Sequence, residues 1–195
     1  MDLPIYKLLI SADLDNDAEV DFVALVDRPA IQRNFLAFNE RQKFEIISED
    51  KQILSGPLML ADMPIYRNNE QFGEHYVIFD TDTIQKIAEK FFKKNYQANV
   101  NDMHDSNKPL SGVTMFESWI VNRDLGKMPI RGFEDVADGS WFGSYKVDNM
   151  DVWQKVKDGT FQGFSVEGLF DYSDMVSNEE KMVDQIKAIL LSAGI

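Results

Sequence analysis

Read as alternating apolar and polar positions, the chain breaks into short extended runs interrupted by a few helical stretches. Ile5 to Ile10 reads as a strand. Val20 to Val26 reads as another, closed by Asp27-Arg28-Pro29, because proline cannot continue a ladder. Phe35, Ala37 and Phe38 lead into a short strand from Phe44, and Gln52 to Leu60, interrupted by Gly56-Pro57, completes a hairpin with it. Met63 to Arg67 is extended, Asn68 to Gly73 is a polar loop, and His75 to Phe79 is a strand. The clearest helix runs from Thr81 to Asn95. Ile84, Ile87, Ala88, Phe91 and Phe92 share one face, Thr81 or Asp82 caps the start, and Lys93-Lys94 suits the negative end. Asn99 to Pro109 is polar and carries His104. Gly112 to Val121 and Ser140 to Val147 are strands joined by a long loop, and Met150 to Val156 is a short helix with Trp153 packed inward.

Next comes a run in which large apolar residues mix with three glycines: Gly163-Phe-Ser165-Val-Glu-Gly168, preceded by Gly159. It reads as a strand, and glycine in a strand marks close approach by another backbone or a ligand. An acidic loop from Asp171 to Glu180 then leads to an amphipathic helix, Asn178 to Ser192, with Met182, Val183, Ile186, Ile189 and Leu190 on one face. About eight short strands and three helices without βαβ alternation predict an α+β fold with a mostly antiparallel β core. Residues 1–172 form the main domain in this reading. Residues 173–195 form an appendage or assembly element.

Composition narrows the chemistry. The chain has 195 residues, no cysteine, two histidines and a net charge of −13. Disulfides, thiolate metal sites and a cysteine nucleophile are excluded, and direct binding to nucleic acid is disfavoured because phosphates call for basic patches. No apolar run approaches the roughly 18 residues of a membrane span. The N-terminus lacks the basic and apolar regions of a secretory signal, so none is expected. Asp13-Leu-Asp15-Asn-Asp17 starts like a calcium loop, but Ala18 replaces the glycine and Ala24 the final glutamate, so an acidic solvated loop is expected. Neither histidine lies in a metal-binding frame. No metal and no cofactor are expected.

Ser165 is either a satisfied core hydroxyl or a nucleophile, and a nucleophile needs a base. The pattern around it is not G-x-S-x-G and no helix follows, so an α/β-hydrolase elbow is excluded. His104, among polar residues ahead of a strand, is the candidate base; His75, opening a strand, reads as packed or partly exposed. Glu117 alternates with Val113, Met115, Trp119 and Val121, which predicts a desolvated carboxylate in need of a partner. Asp21 raises the same question. So does Glu167, although a residue two along the strand from Ser165 rarely reaches a histidine bound to that serine.

Together these stretches resemble the XkdF-like phage serine proteases, relatives of the prohead proteases that mature tailed-phage capsids. The resemblance rests on residues 20–31, 55–67, 103–105, 116–120, 138–141 and 163–168, in that order, and spans most of residues 1–172. It implies a β-barrel wrapped by helices, similar to the herpesvirus assemblin protease. It also implies a Ser/His endopeptidase that cleaves scaffold and capsid-protein extensions, and itself, inside the procapsid in the host cytoplasm. Its partners would be those protein substrates; separately, the acidic balance and the apolar face of the terminal helix, Met182, Ile186 and Leu190, predict oligomerisation or docking. His104 and Ser165 carry over onto the family's His-Asp motif and glycine-flanked strand. The third member does not carry over cleanly. Asp21 or Asp27 would fit a permuted order, and Glu117 is preferred for its apolar strand company. Backbone N–H groups beside the glycines, or Arg67, would meet the oxyanion. A protease fold without activity, serving assembly, is the alternative; an acidic DNA mimic explains only the charge.

Overall fold

The structure, a computed structural model, describes residues 3–27 and 43–175. They form strands β1 (Ile5–Leu9), β2 (Val20–Val26), β3 (Glu45–Ser48), β4 (Ile53–Met59), β5 (Ile65–Asn69) and β6 (Gly73–Ile78), followed by helix α1 (Thr81–Lys93). Next come β7 (Val100–Asp102), β8 (Asp105–Pro109), β9 (Val113–Ile120), β10 (Trp141–Val147), α2 (Met150–Lys157), β11 (Gly163–Gly168) and β12 (Asp171–Met175). The turn at Pro29, the Phe35 to Phe38 segment and the helix expected over residues 178–192 lie outside the described residues.

The strands assemble into three four-stranded sheets, ordered β12-β1-β6-β5, β3-β4-β10-β9 and β11-β2-β7-β8. The fold is mostly β with two helices, but among the described residues no sheet closes on itself. The expected assemblin-like barrel is thus not seen in the described residues, which form three open sheets. Most pairs are antiparallel, while β1–β6 and β2–β7 are parallel. Two expected loops are strands. The polar segment around His104 is the β7–β8 hairpin, and the acidic stretch from Asp171 opens as β12 beside β1.

The core gathers Val23, Leu25, Leu54, Ile84, Phe91, Trp141, Tyr145 and Phe161. In α1, Asp80 rather than Thr81 or Asp82 is the cap, accepting from the Thr83 N–H at 2.8 Å. Ile84, Ile87, Ala88 and Phe91 are buried as the periodicity predicts, but Phe92 is exposed. Lys90 is buried instead, and its ammonium donates to the carbonyls of Asp13 (2.8 Å), Asn16 (2.6 Å) and Ala18 (3.1 Å). The calcium-like segment thus turns its oxygens onto a lysine of the same chain, and its solvated character is confined to its acidic side chains. In α2, Asn149 caps the start and Trp153 is buried, as expected. The long loop after β9 is tied down by Arg123, which pairs with Asp138 and donates to the carbonyls of Glu134 and Val136, both at 2.8 Å.

β11 is positioned by a close crossing at its end. A Cβ on Gly168 would lie 2.0 Å from the Glu19 carbonyl oxygen, so only glycine fits where the strand passes the entry to β2.

Candidate active site

The sheet row containing Ser165 builds the site. Opposite Ser165 on β2 is Ala24, and opposite Ala24 on β7 is Asn101. Facing residues project from the same side of a sheet, and Glu167, two along β11, joins them by alternation. Ala24 carries only a methyl group, which leaves space between the polar side chains on either side. Asn101 Nδ2 crosses that space and donates to Glu167 Oε1 at 2.6 Å. Ser165, Ala24 and Asn101 are all buried.

His104 reaches the row from the β7–β8 turn. Met103 and His104 are its two central residues, both left-handed, with φ of 53° and 63°. That geometry matches the twist of a hairpin but normally takes asparagine or glycine. Strain of this kind costs about 1–3 kcal/mol per residue and persists only when surrounding contacts enforce it. Here the Met103 N–H donates to the Leu25 carbonyl at 3.0 Å, the Asp27 N–H donates to Met103 Sδ at 3.2 Å, and Lys155 Nζ donates to Asp102 at 2.8 Å. The turn sets His104 Nδ1 3.0 Å from Glu167 Oε1. An ionised carboxylate only accepts, so Nδ1 bears the proton in the neutral ring and Nε2 is left as the basic nitrogen.

Ser165, His104 and Glu167 line one cavity of about 520 Å³, together with Arg67, Leu8 and Tyr172. Among the described residues no hydrogen bond engages Ser165 Oγ or His104 Nε2. Such contacts often tighten only when substrate is bound. Among the described residues no group of three or more His, Cys, Asp or Glu side chains is arranged to hold a metal ion, and no helix is long and apolar enough to cross a membrane.

Glu117, the acid preferred from sequence, is elsewhere. On β9, Glu117 faces Ser144 while Met115 faces Tyr145, so Phe116 is an unopposed extra residue. This bulge breaks the alternation and turns Glu117 to solvent instead of toward Met115 and Val113. Its Oε2 accepts from Ser144 Oγ at 2.7 Å, and Ser144 Oγ is 2.7 Å from Ser55 Oγ. The carboxylate on His104 is Glu167. Sequence spacing argues against Glu167 only for a histidine bound to Ser165; here the tight turn brings the imidazole to the glutamate, with no hydrogen bond to Ser165 Oγ among the described residues. Asp27 is exposed. Asp21 makes no ion pair among the described residues, and burial, then repulsion from Glu167 and Glu19, pushes its carboxyl pKa up. His75 is fully buried, with Nδ1 2.8 Å from the Gly73 carbonyl and Nε2 3.3 Å from the Tyr172 hydroxyl, behind the cavity wall. Asn101 was not anticipated. Its only sequence signal is a polar residue beside Val100, and its role depends on the parallel β2–β7 pairing.

The family model described as "Putative phage serine protease XkdF" matches residues 47–174. No curated protein and no solved structure matches the chain.

Proposed function

The chain belongs to the family described as "Putative phage serine protease XkdF", and from there we propose that it is a Ser/His endopeptidase of capsid maturation. The observation that carries this reading is the His104–Glu167 pair, 3.0 Å apart, in the same cavity as Ser165. Ser165 Oγ attacks the peptide carbonyl carbon while His104 Nε2 takes its proton. The tetrahedral intermediate collapses, the C–N bond breaks, and the imidazolium returns the proton to the leaving amine. Water then attacks the acyl-enzyme, His104 again taking the proton, which restores Ser165 and releases the acid. Glu167 orients the ring and stabilises the imidazolium; Asn101 orients Glu167. Backbone N–H groups of the glycine-bounded strand meet the oxyanion charge.

In this reading the substrates are scaffold and capsid-protein extensions, with self-cleavage, inside the procapsid in the host cytoplasm, and the protease acts as a single copy or as a homo-oligomer. The test is co-expression of the chain with the scaffold and major capsid protein of its own phage, wild type beside Ser165→Ala, followed by intact-mass spectrometry. Truncated products with the wild type alone are expected. Equal, uncleaved masses with assembly intact would instead assign the chain a structural role in assembly.

A further inference from the structure

Among the described residues, the cation in the cavity beside Ser165, Arg67, has no counter-ion. Arg67 lies on β5, an edge strand, opposite His75 on β6. A guanidinium has five N–H donors. Among the described residues one hydrogen bond uses them, from Nη1 to the adjacent Tyr66 carbonyl at 3.0 Å. Lys90, Lys94, His104, Arg123 and Lys155 each face a carboxylate; among the described residues Arg67 faces none. The cavity's own carboxylate, Glu167, is engaged by His104 and Asn101. Burial lowers the Arg67 pKa, against a smaller opposing influence from Tyr172, but a guanidinium stays charged at any physiological pH. A partly buried, uncompensated charge is costly unless a ligand completes it. With a net charge of −13 the chain as a whole repels anions, so attraction must come from this local contact.

Resting on the protease reading, we propose that Arg67 determines specificity by receiving a substrate carboxylate, so that cleavage favours peptides with an acidic group close to the scissile bond. The planar fork of arginine matches a carboxylate through two parallel hydrogen bonds. An Asp or Glu side chain and a free peptide C-terminus share this chemistry.

The test has a cleavage arm and a binding arm. Wild-type protein is incubated with a peptide library, new termini are read by mass spectrometry, and cleaved sequences are resynthesised as Glu/Gln pairs with free or amidated C-termini. An acidic residue enriched at one subsite is expected, with a Glu-over-Gln ratio in kcat/KM that falls about tenfold or more in Arg67→Gln and partly survives in Arg67→Lys. Loss of the preference on amidation would identify the chain end as the ligand. Equal cleavage of both members by the wild type overturns the proposal. So does an equal loss for both in Arg67→Gln, which would place Arg67 at the oxyanion. The binding arm titrates Ser165→Ala, by NMR, with blocked pentapeptides of alanine around a central glutamate or glutamine. Stronger binding of the glutamate peptide, abolished by adding Arg67→Gln, supports the carboxylate site even if nothing is cleaved, in which case the protease reading alone fails. Equal or absent binding of the two pentapeptides overturns the proposal.

Discussion

One oxygen atom, Glu167 Oε1, accepts from both His104 and Asn101. If the imidazole is the base, removing the negative charge from that atom removes the preference for the Nδ1–H tautomer and the stabilisation of the imidazolium. Glu167→Gln is therefore expected to lower kcat by about 10²–10⁴-fold while the protein stays folded. Glu117→Gln, on the far side of the β9 bulge, is expected to leave kcat within about twofold of wild type, as surface changes away from the chemistry usually do. Both are measured as rates of substrate truncation beside circular dichroism. The opposite pattern would return the orienting role to Glu117. Ser165 and His104 were legible as residue types in sequence. Glu117 is exposed where strict alternation from Val113 to Val121 predicts burial, because the unopposed Phe116 breaks that alternation.

At the scale of elements, α1 was legible because its apolar residues recur at helical spacing, which is a local property. Lys90 was not, because only contacts from the Asp13 to Ala18 segment make a buried ammonium affordable on that helix. Lys90→Met keeps the length and apolar stem but strands three carbonyls and takes from Glu19 one of its two cations, 3.6 Å away, leaving Lys94 and the Tyr96 hydroxyl on that carboxylate. It is expected to cost about 3 kcal/mol or more, as breaking buried charge pairs does; urea denaturation measures it, and a loss under 1 kcal/mol would show that water replaces the ammonium (~1 kcal/mol being a typical net hydrogen bond). The β7–β8 hairpin was hidden by composition. Its strands are short, polar and rich in Asn and Asp, and its turn uses Met103-His104 where asparagine and glycine are usual.

At the scale of the whole molecule, the charge balance of −13 leaves carboxylates close together in the folded state. Asp21 is the clearest case: burial above all raises its pKa, its own backbone N–H opposes this, and repulsion from Glu167 and Glu19 adds to the rise. The folded protein therefore holds this proton more tightly than the unfolded chain does. Its favourable contribution is fully present below the unfolded value of 3.8 and is lost as pH rises through the raised folded value. Asp21→Asn is expected to raise the melting temperature at pH 7, with the gain shrinking toward zero as pH falls to about 4. Scanning calorimetry of both proteins across that range checks the sign. A variant less stable than wild type at pH 7 would mean that the Asp21 and Phe22 backbone N–H groups on the carboxylate outweigh its burial and the repulsion.

By itself the sequence determined the β-dominated class, the two described helices, the strand that carries Ser165 and the family resemblance. These follow from local periodicity, from glycine and proline, and from motifs a few residues long. Tertiary structure decided the three open sheets of the described residues, the two parallel pairings and the contact of Glu167 with His104. The parallel pairing of β2 with β7 joins residues about 77 positions apart, Ala24 with Asn101. No local pattern encodes which two strands will meet. The β7–β8 turn then carries His104 back over that pairing to Glu167, a contact that strand spacing alone does not predict.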